Sequence, residues 1–158
     1  MPAPLTVGGM LPSAGPMSDD SILRGRSIRT LAWLGDVEFE REVRLRLSRR
    51  GDYPTDRLDK LRARLVQAEA QAALLAALIE AGHLREDELA IVGRARNAAV
   101  SRTSGRRGVR EYRAATALEA LIAWWIVGGE LQRFEALIIP AIEAQIDALL
   151  GPPRPPIA

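Results

Sequence analysis

The chain has 158 residues, a net charge of +2 and no cysteine. That length fits one domain with a real core, the charge gives no global basic character, and the lack of cysteine excludes a disulfide framework or a thiolate metal site. Hydrophobic residues make up 47%, with Ala and Leu far outnumbering Val and Ile, and no apolar run reaches membrane-spanning length, so the composition reads as an all-α protein with no membrane helix.

The first residues, MPAPLTVGGMLPSAGPMSDD, hold several Pro and Gly and no Arg or Lys. They lack the basic and apolar regions of a secretory signal and the Arg of a transit peptide, so 1–18 reads as a flexible leader. Asp19 and Asp20 can cap a short first helix that leads into a longer one, from about Thr30 to Arg49. RRGDYP closes it with Gly and Pro. Thr55 then caps a long helix from about Asp56 to Ala81, ended by Gly82, and His83 after it reads as an exposed or capping residue. Arg85 to Ala99 is the next helix, with Glu86, Asp87 and Glu88 favouring its N-terminus. SRTSGRRG, residues 101–108, is a small, polar, basic loop. Tyr112 to Val127 is a strongly apolar helix closed by Gly128 and Gly129. Glu130 to Leu150 is one amphipathic helix that packs back, and GPPRPPIA reads as a disordered tail. The expected organisation is therefore a leader at 1–18, a helical domain at 19–150 and a tail at 151–158.

Two acids stand out against this pattern. At the helical period Ala32, Asp36, Phe39, Val43 and Leu47 share one stripe, with Asp36 near its middle. Glu119 shares its face with Tyr112, Ala115, Ile122, Ala123 and Ile126, and no other residue between Arg113 and Glu130 is charged. An ionised carboxylate in such a place costs several kcal/mol, roughly, unless something compensates it. Neither stripe offers a Lys or Arg, but a bound cation would serve. Carboxylates suit Mg2+, which keeps several waters and needs only one or two protein ligands.

The same segments carry a resemblance. LAWLGDVEFE is similar to the signature helix of the ribonuclease III catalytic domain, and YRAATALEALIAWW to its second acidic helix. GRARNA, at Gly93–Ala98, resembles the RGRNA element of one subfamily, Mini-ribonuclease III, and QAEAQAALL, from Gln67, resembles that subfamily's helix with an A-Q-A run. The matches fall in the family's order between about Thr30 and Leu137. Two acids of the longer enzymes are replaced by Ala32 and Thr116, as in the subfamily. Other departures are GDVE for the usual GDAV, which puts Glu38 on the face opposite Asp36, the lost Arg of RGRNA, and Asp59 where a His is usual.

The resemblance implies a helical endonuclease domain without a separate double-stranded RNA-binding domain. It implies hydrolysis of phosphodiesters in double-stranded RNA with 5′-phosphate products, at a site whose catalytic and metal ligands are Asp36 and Glu119. Mg2+ is the implied ion, with Mn2+ as a substitute. The implied assembly is a homodimer with one site per strand, the implied substrate a large-subunit ribosomal RNA precursor, and the implied location a bacterial cytoplasm or, as an alternative, a plastid stroma. A catalytically inactive relative that binds RNA, and a helical scaffold or DNA-binding protein with coincidental motifs, are the competing readings.

The flanking residues have two readings each. Glu40 either supports the metal site from behind or simply pairs with Arg44. Thr116 either contacts the metal through water or bonds back to a carbonyl. Arg94, Arg96, Arg102, Arg106, Arg107 and Arg110 form a basic set suited to phosphates, and Asn97 either joins it or caps its helix. Double-stranded RNA is recognised mainly by shape and backbone, so arginines without aromatics are adequate. Trp33 either packs across the dimer interface, as the resemblance implies, or lies in the protomer's own core. Trp124 and Trp125 read as core or dimer-seam residues.

Overall fold

The longest helix begins where Ser27 can cap it: the Ser27 hydroxyl accepts the Thr30 N–H at 3.2 Å and so satisfies one of the first-turn donors. In the computed structural model, which describes residues 21–98 and 108–155, the chain is a set of helices, and no strand occurs among the described residues. After the short α1 (Ser21–Arg24) come α2 (Ile28–Arg50), α3 (Thr55–Val66), α4 (Ala68–Glu80), α5 (Glu86–Ala98), α6 (Val109–Val127), α7 (Leu131–Leu137) and α8 (Ile139–Leu150). No described helix is long and apolar enough to cross a membrane. Residues 1–20, which include most of the expected leader with Asp19 and Asp20, residues 99–107 and residues 156–158 lie outside this description.

The expected all-α architecture is present, with two corrections. The helix expected from Asp56 to Ala81 is two helices, α3 and α4, because Gln67 between them is extended (φ −62°, ψ 153°). The helix expected from Glu130 to Leu150 is also two, α7 and α8, meeting at Ile138. Pro140 lies in the first turn of α8. It has no N–H to continue the helical ladder, which accounts for the break. At the end of α4, Gly82 has φ +70°, its N–H reaches the Ile79 carbonyl, and the His83 N–H reaches the Leu78 carbonyl. This left-handed glycine cap closes the helix and leaves His83 exposed, as expected. The chain after α8 is tied down at Gly151, whose carbonyl accepts from Arg50 at 3.1 Å.

α6 is the central helix. Ala117, Leu118, Ala120, Leu121, Ile122, Ala123 and Trp125 are all buried, and α2, α4 and α5 pack around it. A helix that is apolar on most sides must be enclosed in this way. Its C-terminus is clasped by Arg24, whose guanidinium lies 4.1 Å from the Trp124 ring centre and donates to the Trp124 carbonyl at 3.1 Å. On its other flank the fully buried Glu88 of α5 accepts from the Trp125 indole at 2.8 Å and from Arg133 of α7 at 2.9 Å. Glu88 also accepts the Arg85 N–H at 2.9 Å, so one acid caps α5 and joins three helices. α8 is held to α2 by Arg46 and Arg50, which pair with Glu143, and by Arg50 with Asp147.

α2 and α6 approach backbone to backbone. A Cβ added to Gly35 would lie 1.7 Å from the Glu119 carbonyl oxygen and 2.5 Å from its carbonyl carbon. The two backbones touch there, and only a residue without a side chain permits it. The obstacle is main chain, not a flexible side chain. Gly35→Ala is therefore expected to cost at least the upper part of the overpacking range, about 3 kcal/mol or more. Urea unfolding followed by circular dichroism measures this. A loss below about 1 kcal/mol would mean that the helices separate there at little cost.

Candidate active site

The contact at Gly35 fixes the neighbouring side chain. Asp36 follows directly, so the crossing that presses Gly35 on the Glu119 backbone also brings the two carboxylates together. Their proximity shows in the protonation of Glu119. Burial, and then the negative charge of Asp36, push the Glu119 carboxyl up to about 7, with a hydrogen bond from Gln71 pulling the other way. Burial, and then the charge of Glu40, push the Asp36 carboxyl above its ordinary value. Among the described residues neither acid forms an ion pair.

One expectation about Asp36 is corrected here. Ala32, Phe39, Val43 and Leu47 of its stripe are buried, but Asp36 itself is exposed. The buried face of α2 runs through Gly35 where it passes over α6, and Asp36, the next residue round the helix, stands at the rim of the crossing. Glu119 is half-buried beside it, with Ala115, Ile122 and Ala123 buried and Tyr112 exposed. The pair thus has one side against the core and one side open to solvent.

The flanking candidates separate. The Glu40 carboxylate accepts from Arg44 at 3.2 Å and from Arg62 of α3 at 2.7 Å, and Arg62 also holds Asp59 at 2.9 Å. Glu40 is therefore held by arginines and touches the site only through its field. Thr116 donates to the Tyr112 carbonyl at 3.0 Å, a back-bond within its own helix. Gln71 of α4, which drew no attention in the sequence, is buried and donates to the Val66 carbonyl at 3.1 Å, and its amide tempers the rise of the Glu119 carboxyl. The signal was present as a lone amide among Ala and Leu in the A-Q-A run.

Among the described residues no group of three or more His, Cys, Asp or Glu converges as a metal nest. Two uncompensated carboxylates, both hard oxygen donors and open on one side, nevertheless fit Mg2+, which retains most of its waters. The residues present therefore suit the ion that the sequence implies, and Asp36 and Glu119 are the side chains that would hold it.

The basic set divides between two clefts. Arg96 and Asn97 of α5, with Arg110 and Arg113 of α6, line a cleft of about 750 Å3 against α4. Arg94 and Asn97 line a second, of about 570 Å3, with Ser27 and Arg29 near the start of α2. Asn97 belongs to both and is exposed, as are all five arginines, and none of these has an ion-pair partner among the described residues. Arg29 is an addition that the sequence reading did not include. Arg102, Arg106 and Arg107 lie outside the described residues. Trp33 is 70% exposed, and Val37, one turn later, is 58% exposed. Trp33 is thus no core residue of its own protomer, whereas Trp125 is fully buried and Trp124 lies under Arg24.

Comparison with known proteins agrees with this picture. A family model described as the ribonuclease III domain matches residues 29–130. A Mini-ribonuclease 3 from Desulfitobacterium hafniense is 38% identical over 122 residues, covering 77% of this chain and 73% of the relative. One from Symbiobacterium thermophilum is 38% identical over 114 residues, covering 72% of this chain and 86% of the relative. A crystal structure of a protein from Fusobacterium nucleatum is similar with a TM-score of 0.65 and 31% identity, covering 81% of this chain and 98% of that one.

The raised Glu119 carboxyl gives a pH expectation for the metal-free protein. Between the ordinary carboxyl value of 4.5 and about 7 the folded state binds a proton that the unfolded state has lost. Stability on this account falls as pH rises through that window. Glu119→Gln removes the effect, so the stability advantage of the variant should grow from pH 5 to pH 8, by roughly 1–2 kcal/mol once partial exposure is allowed for. Chemical denaturation of both proteins in chelator across that range measures it, and a difference independent of pH would contradict the assigned environment.

Proposed function

Because the chain belongs to the ribonuclease III family and is an endoribonuclease, we propose that it cuts double-stranded RNA with Asp36 and Glu119 as the ligands of a catalytic Mg2+, replaceable by Mn2+. The observation that carries this is the pair itself: two carboxylates set side by side at a solvent-open helix crossing, each raised by burial and neither matched by an arginine among the described residues. The acids on either side of the crossing that are drawn into the bundle, Glu40, Glu42 and Glu88, each have a cationic partner. A pair left uncompensated at the surface of an otherwise well-matched protein is best explained by an ion that completes it. When bound, such an ion lowers the pKa of a coordinated water and steadies charge on a phosphate.

The chain's own residues do the rest. Glu119 must lose its proton to ligate, and its position near pH 7 leaves it ready to do so. The exposed guanidiniums of Arg94, Arg96, Arg110 and Arg113, with Asn97, present donors to phosphate oxygens and so fix the duplex without reading its sequence. Arg102, Arg106 and Arg107 extend the same basic run along the chain. Glu40, held by Arg44 and Arg62, keeps a negative field on Asp36 that favours a cation. The proposed substrate is a large-subunit ribosomal RNA precursor in a bacterial cytoplasm, a reading supported by the bacterial Mini-ribonuclease 3 relatives.

Cutting both strands needs two such sites. We take the assembly to be an isologous homodimer in which Trp33 and Val37 of one protomer meet the same region of its partner. Two large apolar side chains one turn apart and mostly in water support an interface there.

Asp36→Asn and Glu119→Gln are each expected to abolish Mg2+-dependent cleavage of a labelled RNA duplex while leaving helicity intact. Wild-type rates in either variant would remove the ligand assignment, and lost helicity would make the acids structural. Trp33→Ala is expected to shift the dimer towards monomer by sedimentation and to reduce double-strand cutting more than nicking. An unchanged dimer would move the interface elsewhere.

A further inference from the structure

The arginines assigned so far lie on α5, at the start of α6 and, through Arg29, near the start of α2. A second basic surface lies at the other end of α2. Arg49, Arg50, Tyr53, Arg57 and Arg154 line a cleft of about 510 Å3 between the turn after α2 and the chain that follows α8, and among the described residues no acid lines it. Arg50 is engaged by Glu143, Asp147 and the Gly151 carbonyl. Arg49, Arg57 and Arg154 are exposed and have no ion-pair partner among the described residues. The Arg57 guanidinium lies over the Tyr53 ring, 4.4 Å from its centre. That stack holds the group in place and leaves its N–H edge for an acceptor.

The charge continues along α3. Arg57, Lys60 and Arg64 fall at i, i+3 and i+7, on one face of the helix. Lys60 and Arg64 are exposed too, and neither forms an ion pair among the described residues. Of the acids of α3, Asp59 is held by Arg62, which leaves Asp56 alone against three cations. Like charges gathered in this way repel one another, and exposed guanidiniums add little to the core, so the surface suits a polyanion. Arg57 and Arg64 stand about 10 Å apart along the axis, at 1.5 Å per residue. A track of that length fits a row of phosphates and not a single one.

We propose that the cleft and the basic face of α3 form a second contact for the phosphate backbone of the RNA, one that takes up duplex extending beyond the cut. The proposal rests on the reading of double-stranded RNA as the substrate. On α2, Arg29 lies about 10 Å before Asp36 and Arg49 about 20 Å after it, so the catalytic pair stands between the two basic surfaces. A short duplex seated on the first surface ends before it reaches the second. Contacts of this kind go to the backbone and carry no sequence preference.

The test uses the full-length protein, with Ca2+ replacing Mg2+ to limit cleavage, and two RNA duplexes: one just long enough to be cut, the other with long arms on both sides. Affinity is measured across a salt series, because log affinity falls with log salt by roughly 0.7–0.9 per phosphate contacted. Arg49→Gln combined with Arg57→Gln and Arg64→Gln is expected to reduce the slope for the long duplex by roughly two to three units and to leave the short duplex unchanged. The corresponding Lys substitutions keep the charge and should keep the wild-type slope. Arg49→Gln alone, with a shift of about one unit, replaces the triple variant should that fail to fold. An unchanged slope on the long duplex would overturn the proposal. So would an equal loss on both duplexes, or a matching loss in the Lys variants, which would make these residues structural. Arg94→Gln with Arg96→Gln is the reference and should weaken binding of both duplexes. Weakening there but not in the triple variant removes this proposal alone. Wild-type protein that binds neither duplex removes the double-stranded substrate and this proposal with it.

Discussion

The close approach of α2 to α6 at Gly35 is the constraint on which the rest of the structure depends. Backbone meets backbone there, with no side chain between the Gly35 Cα and the Glu119 carbonyl. Helices usually pack 8–10 Å apart, their separation set by the side chains at the contact. A glycine at the crossing lets them come closer, and the residue next to it is then fixed relative to the other helix. Asp36 and Glu119 owe their proximity to this and not to any bond between them. Two like charges have no tendency to meet, so the core must impose the encounter.

The remaining polar interactions support that arrangement. Arg24 clasps the C-terminal end of α6, Glu88 joins α5, α6 and α7, and Arg46 with Arg50 ties α8 to α2. In each case an acid or a carbonyl that folding would leave short of partners is given a guanidinium. Glu40 follows the same rule through Arg44 and Arg62, although it lies only one turn from Asp36. Asp36 and Glu119 have no such partner among the described residues, and they coincide with the ribonuclease III motifs. Burial raises both carboxyls, which makes the metal-free pair a local source of instability. Relief by a cation would turn the same feature into binding energy.

Much of this was legible in the sequence. The 3.6-residue periodicity gave the helices, and the two acids were evident as breaks in apolar stripes. What the sequence concealed was mostly a matter of tertiary geometry. The stripe through Asp36 read as buried along its length, yet the face of α2 that meets α6 runs through Gly35, which leaves Asp36 at the surface while Phe39 and Val43 stay inside. The break at Gln67 has no local marker, since no Pro or Gly stands there; it depends on the packing of α4 against α6. The break at Ile138 did have one, in Pro140, which the amphipathic pattern overrode. Glu88 looked like an ordinary acid of a helix N-terminus, and its second role in matching Trp125 and Arg133 needed the fold to appear. Gly35 lies within the quoted motif, but only the neighbouring helix reveals why a side chain is forbidden there.

The central claim is that this crossing builds a divalent-ion site from Asp36 and Glu119. Its most direct test is anomalous scattering from crystals of the protein grown with Mn2+. The account predicts an anomalous peak between the Asp36 and Glu119 carboxylates, with the remaining coordination supplied by water. A fully occupied Mn2+ elsewhere, with these two side chains unliganded, would contradict it.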